Sequence, residues 1–302
     1  MNGRIACVTG ANGLIGAFVV EQLLKEGYVV RALVRNFTHI KGASASLVEV
    51  FVGDLRDKNS LSRFLDGAEA VYHCAGEIRN EPLMWATNVL GTQNLREVAI
   101  EKDIKYFCYI SSAGVVGTTQ DNIVVEDAIC RPTNAYEKSK YAAENLVRDG
   151  VGDAKVVILR PTNVVAPEIN KGHLEFIFSK SISSRFKFLI KGREHSHIVH
   201  AKDVARACIY LRLHDKFRDP QIYFVSVDHD SNNYFWRLAK CANKSSFLHK
   251  FALPCSFIIT LRWMLRRGAN SKEVIYSSQK LSLTGFEYDY SCKIMMELAK
   301  GD

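Results

Sequence analysis

Two side chains that could move a proton, Tyr136 and Lys140, stand four residues apart in the stretch YEKSK. On a helix this spacing brings both side chains to one face. A phenol has an ordinary pKa of about 10 and is a poor base at neutral pH, whereas a neighbouring ammonium favours its phenolate form. The pair could therefore exchange a proton with a hydroxyl or carbonyl group. Such pairs are common on helices, so the meaning of this one depends on the elements around it.

The chain opens with a glycine-rich turn between a strand and a helix. In TGANGLIG, the glycines follow an apolar run and precede an amphipathic one. Backbone without Cβ can turn tightly and approach a pyrophosphate, and a helix N-terminus offers free amide hydrogens to phosphates. This order of elements predicts a dinucleotide site. The residues expected to hold the dinucleotide here are Gly10, Asn12, Gly13, Leu14, Ile15 and Gly16.

The second strand ends in Val34 and Arg35, at the place where an NAD-specific site carries an acidic side chain for the ribose hydroxyls. A carboxylate repels a 2′-phosphate, whereas a guanidinium can bind it through two hydrogen bonds. The sequence therefore favours NADP(H), with NAD(H) as the alternative, and Lys41 could assist. The competing interpretation of Arg35 is an ordinary solvated arginine.

Residues after the third and fourth predicted strands are further candidates for cofactor binding. Asp54, followed by Leu55, could accept a hydrogen bond from the adenine amino group, although an aspartate after a strand is more often a helix cap. Ala75 and Gly76 are small enough to lie beneath the same cofactor.

Short apolar runs alternate with patterned helical segments over the first half of the chain. This alternation is typical of βαβ units and a parallel sheet. Right-handed crossovers then give a doubly wound sheet with its ligand crevice at the carboxyl ends of the strands. We therefore expect an α/β Rossmann fold with a smaller, mostly helical C-terminal substrate lobe. Strands are predicted at Ile5–Thr9, Val29–Val34, Leu47–Val52, Ala70–Cys74, Tyr106–Ile110 and Val156–Leu159.

The alternation stops after Pro161 and returns later. HIVHAKDVARACIYL predicts a strand followed by a helix, and QIYFVSV predicts a further strand. We expect residues 1–165 and 197–227 to form the dinucleotide-binding domain, and residues 166–196 and 228–302 to form the substrate-binding lobe.

The motifs ISSAGVVG and YEKSK resemble those of a known family. It resembles the extended short-chain dehydrogenase/reductases, the group of NAD(P)-dependent sugar-nucleotide epimerases, dehydratases and related reductases. TGANGLIG, GDLRD, HCAG, NVLGTQNL, LRPTNVV, HIVHAKDVARA and LSLTGFEYDY stand in the family's order along nearly the whole chain. The cofactor stretch, with its Val-Arg ending, is similar to that of NADP-dependent dihydroflavonol-type reductases.

The resemblance implies roles for the catalytic candidates. Tyr136 would exchange a proton with the substrate oxygen while a hydride passes to or from the nicotinamide. Ser112 would donate a hydrogen bond to the same oxygen, and Ser111 is the neighbouring candidate. Lys140 would also hold the nicotinamide ribose.

The resemblance also bears on residues around that centre. Asn88 is similar to a buried asparagine near the family's active site, and its role could be confined to capping or bridging helices. Pro161 and Thr162 would lie in the loop beside the nicotinamide. The helix from Asn88 to Glu101 and the helix that carries Tyr136 commonly pair with their copies in a second chain, which implies a homodimer.

The two residues after Ser112 narrow the reaction. The family's dehydratases usually carry an Asp-Glu pair there, whereas this chain has Ala113 and Gly114, so dehydration is disfavoured. Epimerisation and net reduction remain open, and Arg35 favours reduction because NADPH is the cell's reducing cofactor. We expect a nucleotide-sugar substrate, because a group of basic residues could receive a diphosphate. These residues are Lys180, Arg185, Lys187, Lys191, Arg193, His195, His197 and His200.

Two other functions compete with this one. A lipophilic pocket would indicate a reductase or dehydrogenase of ketones or hydroxysteroid-like lipids, with residues 251–267 lying on a membrane surface as a peripheral contact. The plainer interpretation of that segment is a core helix. A non-enzymatic NADP(H) sensor is less expected, because such relatives generally lose the tyrosine or the lysine and both are present here.

The length and composition of the chain limit the classes of protein and of site that it can form. A chain of 302 residues with 47% hydrophobic content can form one large domain or a domain with a lobe. Its eight cysteines lack metal-type or redox-type spacing, so we expect reduced thiols and no metal site. The longest nearly apolar stretch, Phe251–Leu265, is too short and too polar to predict a membrane span. No secretory signal is visible, so the cytoplasm is the expected compartment.

The net charge of +8 is concentrated in the second part of the chain. Residues 1–160 carry 18 basic and 19 acidic side chains, whereas residues 161–302 carry 22 basic and 13 acidic ones. This asymmetry favours an anionic small molecule or surface as the partner of the C-terminal part, with a solvated basic face as the alternative. No nucleic-acid partner is expected.

Overall fold

The structure is a computed structural model, and it describes residues 4–36, 48–169, 171–172, 194–214, 217, 219–241 and 274–299. The chain divides into two compact units. The first unit consists of Met1–Val115, Pro132–Arg160 and Val204–Tyr223. The second consists of Val116–Arg131, Pro161–Asp203 and Phe224–Asp302.

A seven-stranded sheet is the centre of the first unit. Its strands are β1 (Ile5–Thr9), β2 (Val29–Val34), β3 (Val48–Val52), β4 (Ala70–His73), β5 (Tyr106–Ile110), β7 (Lys155–Pro161) and β11 (Gln221–Val225). Their order is β11-β7-β5-β4-β1-β2-β3, and the ladders that join β3, β2, β1, β4, β5 and β7 are parallel. The chain order reverses between β1 and β4, which is where a doubly wound sheet forms its ligand crevice.

The burial of the central strands explains their composition. Every residue of β4 and β5 is buried, as expected for parallel strands that are covered on both faces. Phe107, Tyr109 and Ile158 lie in the same core cluster as Leu95 and Val147. The helices of this unit are α1 (Leu14–Lys25), α2 (Lys58–Phe64), α3 (Glu81–Met84), α4 (Gly91–Glu101), α5 (Ala135–Arg148) and most of α6 (Ala201–His214).

The second unit contains short strands and helices. Strand β8 (Asn163–Ala166) pairs with β10 (Ile198–His200) in parallel and with β9 (Lys171–Gly172) in antiparallel orientation. Strand β6 (Ile123–Val124) pairs with β12 (Ile275–Tyr276). Helices α7 (Phe235–Cys241), α8 (Gln279–Leu283) and α9 (Cys292–Leu298) follow. Phe235 and Leu238 of α7 share a core with Met295 and Met296 of α9.

The predicted fold class is confirmed: a parallel sheet carries helices, and the alternation of strands and helices ends where the sequence indicated. The two compact units are divided at other residues than the predicted domains. Four segments predicted for the dinucleotide-binding domain belong to the second unit: residues 116–131, 161–165, 197–203 and 224–227. No helix within the described ranges is long and apolar enough to cross a bilayer. The predicted amphipathic segment 251–267 lies outside the described residues.

Candidate active site

Tyr136 stands in the first turn of α5, and a capping box fixes where that helix begins. The Asn134 side chain accepts a hydrogen bond from the Glu137 amide at 2.9 Å, and the Glu137 carboxylate accepts one from the Asn134 amide at 3.4 Å. This reciprocal arrangement satisfies two amides that a helix start would otherwise leave unpaired. The phenol side chain therefore projects from a well-defined position.

Ser112 is the hydroxyl group that meets this phenol. It follows β5, and its side chain shares a hydrogen bond with Tyr136. Burial raises the pKa of Tyr136, the bond with Ser112 opposes that rise, and the charge of Glu137 adds to it. The sequence led us to expect a phenol made acidic by Lys140. In the structure the pKa of Tyr136 shifts in the opposite direction, because desolvation of the phenolate outweighs the favourable hydrogen bond with Ser112.

Lys140 is buried one turn further along α5. Its Nζ donates a hydrogen bond to the Ile110 carbonyl at 2.6 Å and lies 4.2 Å from the centre of the Tyr109 ring. Burial lowers the pKa of Lys140 to about 7, and the nearby Glu144 carboxylate opposes this shift. The amine is therefore poised between its charged and neutral forms near neutral pH.

A buried ion pair supports the strand end that carries the two serines. The Arg160 guanidinium donates to the Glu144 carboxylate at 2.6 Å and 3.1 Å, and both side chains are almost fully buried. Ser111 donates to the same carboxylate at 2.6 Å. Ser111 therefore faces the protein interior, and of the two neighbouring serines Ser112 is the one that meets Tyr136.

Asn88 connects α5 to the loop after β4. It lies in a π-helical stretch, Trp85–Leu90, between α3 and α4. Its amide group donates to the Ser139 hydroxyl at 2.9 Å and to the Glu77 carbonyl at 3.0 Å, and its oxygen accepts from the Glu77 amide at 2.7 Å. The sequence left open whether Asn88 caps or bridges helices. These contacts show that it bridges α5 and the loop after β4. π-helical turns are frequent at functional sites.

A cleft of about 410 Å³ in the first unit lies between the glycine-rich turn and the ends of β2, β3 and β4. Its lining includes Gly10, Asn12, Gly13, Arg35, Asp54, Leu55, Ala75 and Gly76. Helix α1 begins at Leu14, so the amides of Leu14 and Ile15 belong to its first turn, whose N–H groups are not used within the helix. The structure thus brings together the cofactor residues predicted from the first half of the chain.

Two glycines of the turn are required by close backbone approach. Gly10 has a φ of +68°, and a Cβ there would lie 2.7 Å from the backbone of Ala75. A Cβ on Gly16 would lie 2.1 Å from the carbonyl oxygen of Gly10. Helix α1 can therefore start directly against the turn only without these side chains, and its N-terminus stays at the cleft.

The far end of the cleft approaches the catalytic candidates. A Cβ built on Gly76 would lie 3.5 Å from the Asn88 side-chain oxygen and 3.9 Å from the Lys140 Nζ. A ligand passing along Gly76 would thus reach the lysine. The cleft, the amide-rich helix start and this opening at Gly76 fit an extended dinucleotide.

The charges at the outer end of the cleft are partly neutralised. The Arg56 guanidinium holds the Asp54 carboxylate through two hydrogen bonds, at 2.9 Å and 2.7 Å. These bonds lower the pKa of Asp54, and the charge of Arg35 adds a smaller effect in the same direction. Arg35 is exposed and lines the same cleft. The predicted adenine acceptor is therefore already engaged by an arginine.

Comparison with known proteins decides the family. Residues 6–226 match the NAD dependent epimerase/dehydratase family. The chain belongs to this family. Similar proteins include a sterol-4-alpha-carboxylate 3-dehydrogenase, decarboxylating, from Dictyostelium discoideum, which is 26% identical over 276 residues, covering 85% of this chain and 82% of that protein. Cinnamoyl-CoA reductase 1 from Petunia hybrida is 29% identical over 237 residues, 70% of this chain and 69% of that protein.

The chain spans about half the length of two other curated relatives, 54% and 49%. Among solved structures, a UDP-glucose 4-epimerase has a TM-score of 0.74 at 20% identity, covering 98% of this chain and 96% of that one. At this identity the likeness establishes the shared fold.

Several predicted residues are not placed in this site. Pro161 and Thr162 belong to the second unit, where the buried Thr162 hydroxyl has no hydrogen-bond partner among the described residues. His197 and His200 pair with Asp228 and Glu168. The remaining predicted residues fall outside the described residues; they are Lys41, Lys180, Arg185, Lys187, Lys191 and Arg193.

Sequence reasoning missed three residues that shape the site of this family member. Arg56 lies within the GDLRD motif, and its distance of two residues from Asp54 was the available signal. Glu144 lies four residues after Lys140, on the same helical face. Arg160 could be found only from the structure, because a basic residue inside an apolar strand carries no indication of its partner.

Proposed function

We propose that the protein is an NADP(H)-dependent oxidoreductase that reduces a carbonyl group to an alcohol, with Tyr136 as the proton donor. The observation that carries this proposal is the contact between Tyr136 and Ser112 beside the buried Lys140. When bound, the cofactor supplies the hydride at its nicotinamide ring. Ser112 and Tyr136 supply two hydroxyl groups that can bind one substrate oxygen.

The protonation state of Tyr136 supports the direction of reduction. Because burial raises its pKa, the phenol is neutral at physiological pH and can donate a proton to the oxygen that becomes an alkoxide. A second hydrogen bond from Ser112 would stabilise the negative charge that develops on this oxygen. Lys140, whose pKa is lowered to about 7, can return a proton to the phenol after each turnover.

The cleft supports NADP(H) over NAD(H). Arg35 is exposed at its outer end, and Arg56 neutralises the Asp54 carboxylate that would otherwise repel a 2′-phosphate. A phosphate there would meet a positively charged lining. NADP(H) is also the expected cofactor of a reductase, which exchanges its cofactor at every turnover.

For the substrate we favour a ketone or the corresponding alcohol on a lipophilic or aromatic molecule. The similar protein named as a sterol-4-alpha-carboxylate 3-dehydrogenase supports the alcohol or ketone of a lipophilic molecule, and the one named as a cinnamoyl-CoA reductase, whose substrate name is that of an aromatic thioester, supports only the aromatic character. A nucleotide-sugar, handled by an epimerase or reductase, is the second candidate. The excess of basic residues in 161–302 favours it, although His197 and His200 already face carboxylates.

The test is the initial rate of NADPH oxidation with purified protein, measured with a panel of steroid and aryl ketones and with UDP-glucose. We expect turnover of members of the ketone panel and no dinucleotide retained after purification. Conversion of UDP-glucose to UDP-galactose by protein that keeps a tightly bound dinucleotide would favour the second candidate. Absence of hydride transfer to every substrate of both classes would contradict the proposal and favour a cofactor sensor.

We also propose that the protein forms a homodimer through the region of α3 and α4. Trp85, Leu90 and Ile100 are exposed there, with 55%, 46% and 40% of their surface accessible. Exposed apolar side chains support an interface where they form one patch, and Trp85 and Leu90 lie within one short stretch of the chain. Light scattering should give twice the chain mass of 34.0 kDa, and a mass that stays at 34.0 kDa at high concentration would contradict this.

A further inference from the structure

Two histidines and one aspartate of the second unit converge on a single point. Nitrogen atoms of His195 and His197 and a carboxylate oxygen of Asp228 all lie within 4.8 Å of one another. His195 and Asp228 are buried. We propose that these three side chains bind a divalent transition metal ion of the zinc type, with water as the fourth ligand.

The backbone is arranged to bring both imidazoles to one place. His195 lies in an isolated antiparallel bridge with Tyr234, just before β10, and its ring stacks on that of His197 with 5.3 Å between centroids. His197 has a φ of +51°, a left-handed conformation that residues with a Cβ seldom adopt. Such conformations are concentrated at functional sites, where the surrounding structure holds them.

Asp228 is held in place by partners in addition to the histidines. Its carboxylate accepts hydrogen bonds from the Asn233 side chain at 3.3 Å and from the Tyr276 amide at 3.0 Å. The same Asn233 side chain donates to the Ile198 carbonyl and accepts from the Ile198 amide, so it also fixes the start of β10. Metal-binding carboxylates are typically oriented by outer partners of this kind.

The donor atoms of the cluster match the preferences of zinc. His197 Nδ1 lies 2.7 Å from Asp228 Oδ2, which is a hydrogen bond, and the stacked ring of His195 brings a second imidazole to the same carboxylate. Two nitrogen donors and one oxygen donor form a set that zinc accepts readily, with a fourth position left for water.

The geometry requires only a small closure of the side chains. Metal–ligand distances of about 2.0–2.2 Å place neighbouring ligand atoms of a tetrahedral site about 3.3–3.5 Å apart. All the ligand atoms of the cluster lie within 4.8 Å of one another. Rotation of the imidazole rings can bring the three ligand atoms to these separations, while the buried Asp228 stays on its Asn233 partner. Metal-type spacing of cysteines is absent from the sequence, which predicts the histidines only as anion-binding groups.

The experiment uses the full-length protein after treatment with a chelator. Zn²⁺ is titrated by calorimetry, and Co²⁺ is titrated by visible absorption as a spectroscopic substitute. We expect one metal ion per chain and the absorption of a tetrahedral or five-coordinate cobalt site without a thiolate charge-transfer band. Absence of binding by the wild-type protein, or a thiolate band from its cysteines, would overturn the proposal.

Variants locate the ion. His195→Gln, His197→Gln and Asp228→Asn should each abolish or strongly weaken binding, and Asn233→Ala should weaken it about 10–100-fold by releasing the carboxylate. His229→Gln is the matched control, because His229 is an exposed neighbour of Asp228 outside the cluster. Unchanged binding in the double variant His195→Gln/His197→Gln would exclude the site.

A measurement on the wild type alone covers the case in which variants fail to fold. X-ray absorption of the zinc-loaded protein should show nitrogen and oxygen neighbours with imidazole scattering. A sulfur shell would assign the ion to cysteines and contradict the proposal.

Discussion

At the residue scale, the site depends on how burial changes the proton affinity of its side chains. Burial raises the pKa of Tyr136 and lowers that of Lys140 to about 7. In both cases desolvation disfavours the charged form. The sequence identifies the residue types and their order, but it cannot predict the direction of these shifts, because that direction depends on how much water the folded site retains.

We propose that Arg35 gives the site its preference for NADP(H). Arg35→Ala should weaken NADPH binding about 10–100-fold, the loss expected for charge-assisted hydrogen bonds of about 1.5–3 kcal/mol, while NADH binding changes little. Fluorescence titration with both cofactors measures the two dissociation constants. Arg63→Ala, which removes another exposed arginine without touching the cleft, is the control. Equal losses for both cofactors would show that Arg35 does not bind the 2′-phosphate.

Lys140 should leave a signature in the pH dependence of stability. Its pKa falls from 10.5 to about 7 on folding, so between these pH values the unfolded chain binds a proton that the folded chain does not. The contribution of Lys140 to the free energy of unfolding is therefore lowest below pH 7, and it rises with pH between about 7 and 10.5. The free energy of unfolding of the wild type minus that of Lys140→Met should rise accordingly.

Urea unfolding of the cofactor-free protein at several pH values measures this difference. Lys138→Met, at an exposed position of the same helix, is the control for the loss of a lysine from α5. A flat difference between the wild type and Lys140→Met would mean that Lys140 keeps its ordinary proton affinity in the folded protein.

At the element scale, the sequence predicts strands and the glycine turn well. The bounds predicted for β1, β2 and β5 agree with the structure, because each is a mainly apolar run between polar breaks, as buried parallel strands require, although β2 also contains Arg31. The π-helical stretch Trp85–Leu90 was not predicted, since a single extra residue per turn leaves no trace in apolar spacing. The sequence did not predict the ion pair between Glu144 of α5 and Arg160 of β7, because the two residues are 16 positions apart and lie on different elements.

This ion pair should be costly to break on one side. Glu144→Met removes the carboxylate to which the buried Arg160 guanidinium donates, and we expect a loss of about 3–5 kcal/mol in the free energy of unfolding. The double variant Glu144→Met/Arg160→Met removes both charges and should recover part of the loss. Denaturant unfolding of the two variants tests this. The two side chains are not energetically coupled if adding Arg160→Met to Glu144→Met lowers the free energy of unfolding by as much as Arg160→Met lowers it in the wild type.

At the scale of the whole molecule, the first unit holds the cleft, the catalytic candidates and their support. The family assignment covers 6–226, which includes all of them. The second unit is less predictable from sequence, because its strands are two to four residues long and pair across long separations. Its His195, His197 and Asp228 illustrate this limit, since the aspartate is 31 residues from the histidine that it meets.

The central claim is that Tyr136 donates the proton that accompanies hydride transfer. The most direct measurement is the single-turnover rate of NADPH oxidation by the wild type and by Tyr136→Phe, with a ketone substrate that the wild type reduces. We predict that the variant loses about 10²–10⁴-fold in this rate and binds NADPH with unchanged affinity, while Tyr141→Phe on the same helix behaves as the wild type. Hydride transfer by Tyr136→Phe at the wild-type rate would contradict the account.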